Sequence, residues 1–233
     1  MSAYLKMLAE LGIGGAHPGG LPLTKALIQA LRLNPELPIL DAGCGTGQTA
    51  AYLKQLSFPV IALEPNLLMA DKAAVRFEMK GLSIPIYHEK IEQTTFGDDT
   101  FSYILTESVL SFTDLRQSAA EIQRILKPDG ILIAIEATRT AELTSIEKNE
   151  IKDFYDFHDV YSKGEWIAAL KNAGFAEVNV INWKNLVLET QETEMNLSPS
   201  ITEASYHILD QHNRILQKYR GRMGHLIFTA SIK

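Results

Sequence analysis

Ile39-Leu40-Asp41-Ala42-Gly43-Cys44-Gly45-Thr46-Gly47-Gln48-Thr49-Ala50 decides how this chain folds. Pro38 closes the preceding segment, Ile39 and Leu40 make a short apolar run suited to a buried parallel strand, and three glycines at alternate positions then open a helix. Glycine is required where φ is positive and where a side chain would block a ligand lying on the backbone, so Gly43, Gly45 and Gly47 let a flat ligand touch the main chain. Asp41, at the carboxyl end of the strand, narrows the choice of ligand. An acid beside the helix N-terminus repels a pyrophosphate and favours an ammonium group. The stretch reads as a site for a zwitterionic nucleoside that carries an amino acid.

Composition bounds the rest. With 233 residues and 46% hydrophobic content, the chain is long enough for one large α/β domain with a full core. A formal charge of −6 argues against a nucleic-acid footprint and for a small-molecule substrate. The single cysteine, Cys44, excludes an internal disulfide, and its place between two glycines reads as a small residue in a tight turn. No apolar run approaches the ~18 residues of a membrane span and no signal-peptide pattern opens the chain, so a cytoplasmic protein, a monomer or homodimer, is expected. The histidines lack zinc-like spacing, and no bound metal is expected.

Asp41-Ala42-Gly43-Cys44-Gly45-Thr46-Gly47 resembles the first motif of class I S-adenosylmethionine-dependent methyltransferases, an acid followed by Gly-x-Gly-x-Gly. The resemblance implies an α/β Rossmann-like three-layer sandwich, with a seven-stranded, mostly parallel sheet of order 3-2-1-4-5-7-6 and strand 7 antiparallel. It implies S-adenosylmethionine as cofactor and S-adenosylhomocysteine as product, with methyl transfer to a small molecule. Along the chain it is similar to the family from about residue 24 to 183. Pro59 to Leu63 is the second strand, ending in Glu64 and Pro65, where a carboxylate takes the ribose hydroxyls. Ile84 to His88 is the third. Lys90 stands where the family often has an aspartate reading adenine, and Ser102 replaces the aspartate that starts strand four; backbone at Ile91, with Glu92, is then left for the adenine edge. Strand four, Tyr103 to Thr106, brings Thr106, Glu107 and Ser108 to the carboxyl edge of the sheet. Leu126-Lys127-Pro128-Asp129-Gly130 resembles the turn before strand five, Ile131 to Ile135, with Glu136 at its end.

The expected cofactor residues are thus Asp41, Gly43, Cys44, Gly45, Gly47, Glu64, Pro65, Ile91, Glu92 and Thr106. Candidate proton acceptors are His17, Glu107 and His158, and candidate substrate contacts are Ser108, Tyr155 and Tyr206. His17 lies in the glycine-rich stretch Gly12 to Pro22, which follows a helix over 3–11 and reads as either a linker or a cover that excludes water. Thr24 suits a helix cap, and the charge-rich helix Glu147 to His158 presents an aromatic stripe. Ser162 suits the cap of a helix through Ala173, Val178 to Ile181 the next strand, and a helix over 203–220 precedes a last strand, His225 to Ile232. The polar stretch Lys184 to Pro199, with Glu189, Glu192 and Glu194, reads as a solvated loop. One domain is expected, with residues 1–23 a cap, 24–136 the cofactor half and 137–233 the substrate side. Two other readings fit parts of this pattern. Gly45 to Ala50 also matches Gly-x-Gly-x-x-Ala, as in an NAD-dependent dehydrogenase, and a cofactor-binding sensor or scaffold without catalysis would share the fold.

Overall fold

A computed structural model describes residues 2–182, 184, 186 and 194–233, so Glu189 and Glu192 lie outside the described residues. Strand β1, Ile39–Ala42, is buried on both faces, as its apolar run requires of a central parallel strand. It pairs in parallel with β2, Val60–Leu63, and with β4, Phe101–Glu107; Asp41 stands opposite Ala62 on one side and Leu105 on the other. Strands β3, Ile86–Tyr87, β5, Leu126–Arg139, β6, Glu177–Ile181, and β7, Met223–Ser231, complete a seven-stranded sheet of order 3-2-1-4-5-7-6, in which β7 runs antiparallel to β5 and β6. The order and the antiparallel β7 are those the family resemblance implies. The order reverses between β1 and β4, which is where open α/β sheets bind ligands.

Alternation along the strands sorts the core into two layers. Ile39, Ala62, Leu105, Ile133 and Ile227 pack against α2, Gly20–Leu31, α3, Gln48–Gln55, and α4, Leu67–Met79. Leu40, Ile104, Leu132 and Phe228 face α5, Leu115–Ile125, and α7, Lys163–Asn172, whose Trp166 is fully buried. A third cluster joins α1, Ala3–Leu11, to α6, Ser145–Tyr155, and α8, Glu203–Lys218; it also takes in Met69 at the start of α4 and Met223 at the start of β7, so it covers the carboxyl edge of the sheet. No helix among the described residues is long and apolar enough to cross a membrane.

Several boundaries differ from the sequence reading, each for a physical reason. β3 is shorter because Pro85 has no N–H for the ladder and offers only its carbonyl, to Ala62. β5 continues past Glu136 because β7 pairs with it as far as Arg139 opposite Met223. Lys127 to Gly130 stand out of register rather than before the strand: Phe101 faces Leu126, and Tyr103 faces Ile131. Helix α2 starts at Gly20, capped by Gly19, with Pro22 tolerated in its first turn. Thr24 is therefore inside the helix and not its cap. α6 starts at Ser145, where Thr144 and Glu147 form a reciprocal capping box, and ends at Tyr155 because Asp156 turns left-handed.

Candidate functional site

The three motif glycines all have positive φ, +79° at Gly43, +55° at Gly45 and +77° at Gly47, but they serve different purposes. A Cβ on Gly43 would meet Val109 at 2.5 Å, and one on Gly47 would meet Phe77 and Ala73 at 2.7 and 2.8 Å, so these two permit close packing. A Cβ on Gly45 would meet nothing within 4 Å. Its open side is a cradle that a side chain would fill. The loop is held by its own backbone: Gly43 and Cys44 donate to the Leu63 carbonyl at 2.7 and 3.0 Å, and Arg76 Nε donates to the Thr46 carbonyl at 2.7 Å.

Two buried carboxylates flank this cradle. Glu64 leaves the tip of β2 and accepts from the Gly45 amide at 2.9 Å on one oxygen and from the Asn66 amide at 2.8 Å on the other. Burial raises its carboxyl pKa, against those two amides, which lower it. Asp41 is 2% exposed, and its Oδ2 has no partner among the described residues. Its carboxyl is pushed well above the ordinary range, first by burial and then by the charges of Glu107 and Glu64. The hydroxyls of Thr46 and Thr106 are likewise buried without partners among the described residues. Desolvated, unpartnered acceptors around an open glycine fit a ligand that brings a cation and hydroxyl donors.

Glu107 gathers a second polar group at the end of β4. One carboxylate oxygen accepts from Thr24 Oγ1, in a short contact, and the other accepts from Thr49 Oγ1 at 2.7 Å. His17 Nε2 lies 3.4 Å from Glu107 and 3.3 Å from Thr24 Oγ1. The structure thus brings together Asp41, Glu64, Glu107 and His17, from strands β1, β2 and β4 and from the N-terminal glycine-rich stretch. Pro65 follows Glu64, and Cys44 is buried with its thiol pKa raised by burial.

The other candidates have different surroundings. Ile91 is buried in the core layer with Phe96 and Phe101, which leaves only its backbone for a ligand, and Glu92 beside it is half-buried. Ser108 adopts a left-handed φ of 58° and donates its amide to Ile135. His158 is exposed, its amide on the Ser111 carbonyl. Tyr155 packs against Tyr4, Phe154 and Phe157 and bonds His212 Nδ1 at 2.9 Å, so its ring is core; Tyr206 is 53% exposed on α8. Sequence reasoning missed Thr24 and Thr49 as partners of Glu107, and it missed Glu136. Glu136 is fully buried and accepts from the amides of Val109, Leu110 and Ser111 and from Ser111 Oγ, fixing the turn that follows β4. An acid inside an apolar strand run was the available signal.

A family described as a methyltransferase domain matches residues 40–134. A Bacillus subtilis protein named uncharacterized methyltransferase YodH is 44% identical over 231 residues, 99% of each chain. Phosphoethanolamine N-methyltransferase 1 of Arabidopsis thaliana is 30% identical over 183 residues, which are 76% of this chain and 36% of that longer protein. Among solved structures, phosphoethanolamine N-methyltransferase 2 of Haemonchus contortus, in complex with S-adenosyl-L-methionine, superposes with a TM-score of 0.73 at 15% identity, covering 98% of this chain and 56% of that one.

Proposed function

Since the chain belongs to the S-adenosylmethionine-dependent methyltransferases, we propose that it binds S-adenosylmethionine at the Asp41 to Gly47 turn and transfers its methyl group to a small-molecule acceptor. When bound, the cofactor supplies a sulfonium methyl open to in-line displacement. Asp41 takes the ammonium group on its unpartnered Oδ2, and Gly45 lends open backbone beside it. Glu64 accepts the ribose hydroxyls on the lone pairs its two amide donors leave free, since an ionised carboxylate has about four acceptor positions. Gly43, Cys44 and Gly47 shape the turn, Pro65 follows it, the backbone of Ile91 with Glu92 borders the adenine, and Thr106 offers its unpartnered hydroxyl. The N-terminal helix and the glycine-rich stretch exclude water from the reacting centre, and the described residues of 137–233 form the acceptor side. Positioning and exclusion of water carry the rate, because sulfonium is already a good leaving group.

The observation that carries this reading is the desolvated, unpartnered Asp41 oxygen next to a glycine with open space. Calorimetric titration of S-adenosylmethionine and S-adenosylhomocysteine tests it. Asp41→Ala and Glu64→Ala each remove hydrogen bonds to a charged group worth about 1.5–3 kcal/mol, so each weakens binding about ten- to hundredfold. A wild-type protein that binds neither ligand, or variants that bind as tightly as the wild type, would rule the reading out.

A further inference from the structure

The hydrogen-bond partners around His17 favour one of its two neutral tautomers. Two oxygens lie at Nε2, Glu107 Oε1 at 3.4 Å and Thr24 Oγ1 at 3.3 Å. Thr24 has one hydroxyl proton and donates it to Glu107, whose two oxygens both accept from hydroxyls. Both neighbours are therefore acceptors toward the ring. Nε2 must be the N–H, and in the neutral imidazole the lone pair then sits on Nδ1. Nδ1 is buried and has no partner among the described residues, although the His17 side chain is only 3% exposed. A core histidine kept for packing would satisfy both nitrogens. Here one nitrogen is fixed by a carboxylate that Thr49 holds from its other side, and the second is left bare. Glu107 is also close enough to Asp41 for its charge to act on that carboxyl, which puts the pair at the same edge as the proposed cofactor site.

We propose that His17 Nδ1 accepts a proton from the methyl acceptor, with Glu107 as the residue that positions the ring, so that the acceptor is a weak acid at its reacting atom: a hydroxyl, or a carbon between carbonyl groups. The inference rests on the methyltransferase reading above. As the acceptor X–H reacts, the proton passes to Nδ1, the electron pair left on X forms the X–CH3 bond, and the S–CH3 bond breaks with its pair on sulfur. The imidazolium formed is balanced by Glu107 and returns its proton to solvent after product leaves. An amine arrives with its lone pair free and needs no such group.

The first measurement is the tautomer of His17 in the full-length, 15N-histidine-labelled protein with S-adenosylhomocysteine bound, by long-range 1H–15N correlation, in wild type and Glu107→Gln. An Nε2–H ring with unprotonated Nδ1 at neutral pH, its tautomer ratio changed in Glu107→Gln, is expected. An Nδ1–H ring, a permanent imidazolium, or a ratio unmoved by Glu107→Gln overturns the proposal. The second is S-adenosylhomocysteine release with phenol, acetylacetone or ethanolamine as acceptor. Release with either of the first two, reduced at least about a hundredfold in His17→Ala and in the donor-retaining His17→Gln, supports it and tells oxygen from carbon acceptors. Turnover of ethanolamine alone, unchanged in both variants, overturns it. Where none of the three turns over, the tautomer decides. Failure of the methyltransferase reading shows separately, as absence of cofactor binding by calorimetry.

Discussion

Glu136 lies inside β5, fully buried, with four hydrogen-bond donors from Val109, Leu110 and Ser111 around its carboxylate. Burial nevertheless outweighs those donors and raises its pKa from the ordinary 4.5 to about 7. A carboxyl raised on folding binds more protons folded than unfolded between those two values, so its contribution to stability is full below pH 4.5 and falls as pH rises through 7. At 1.36 kcal/mol per pK unit the loss is about 3 kcal/mol. Glu121, Glu147 and Glu165, held down near 2, lose their contributions only below pH 4.5 and stay out of this window. Urea unfolding of wild type and Glu136→Gln is therefore expected to show a stability gap that changes by about 3 kcal/mol between pH 4.5 and 7 to the variant's advantage; a constant gap would refute the assignment. The places of Asp41, Glu64 and the glycines were legible in sequence because they are set by neighbours within one strand and turn. Glu136, Thr24 and Thr49 were not, because each acts on a partner that only the sheet brings near. His17 and Glu107 were visible singly, and their pairing was not.

At the scale of elements, the proposed N-terminal cover is tied down by residues 194–198. Gly14 donates to the Glu194 carbonyl at 2.9 Å, Asn196 to Gly12 at 3.0 Å and Ser198 to Glu10 at 2.9 Å, a short antiparallel tie centred on Ile13 and Met195. The Glu194 side chain reaches the glycine motif itself, accepting from Gln48 Nε2 at 2.7 Å and pairing with Arg76 in a short contact. Arg76 also braces the Thr46 carbonyl, so the proposed cover and the glycine turn share one guanidinium. Glu194→Ala is expected to loosen the cover without unfolding the sheet. The pair is half exposed on the Glu194 side, so a loss of about 1 kcal/mol, or about fivefold faster opening, is the appropriate scale. Amide exchange at Gly14 and Asn196, and the dissociation rate of S-adenosylmethionine, check it; protection equal to wild type at both amides would show that the tie does not depend on Glu194. Helix ends illustrate what sequence reading reaches. Ser162 with Glu165 forms the capping box that its spacing announces, and Thr144 with Glu147 carries the same signal. Thr24 misled because a hydroxyl before an apolar run is equally a buried donor, and only the distant Glu107 decides between the two uses.

For the whole molecule, the proposed cofactor edge is a cost to the fold that bound ligand would offset. The chain carries a net charge of −6, and the buried Asp41 and Glu64 meet Glu107, whose side chain is 7% exposed, at one end of the sheet. Asp41 is the least compensated, accepting from the Ala50 amide with one oxygen unpartnered. Its raised carboxyl means that stability falls as pH rises through its folded pKa. Asp41→Asn keeps the shape and an acceptor for Ala50 but removes the charge. In the absence of ligand the variant is expected to melt higher than wild type, by a margin that widens with pH. Ligand reverses the order. At a free concentration of about a hundred times Kd, binding adds about 2.7 kcal/mol, and a domain of this length gains about 2–4 °C per kcal/mol, so wild type rises by about 5–10 °C. Asp41→Asn, with no anion for the ammonium, keeps little of that rise at the same S-adenosylmethionine concentration. Thermal melts of both proteins at pH 6 and pH 8, with and without S-adenosylmethionine, separate the two effects. A variant that melts lower without ligand yet shows the full rise with it would mean that Asp41 supports the turn and does not hold the cofactor.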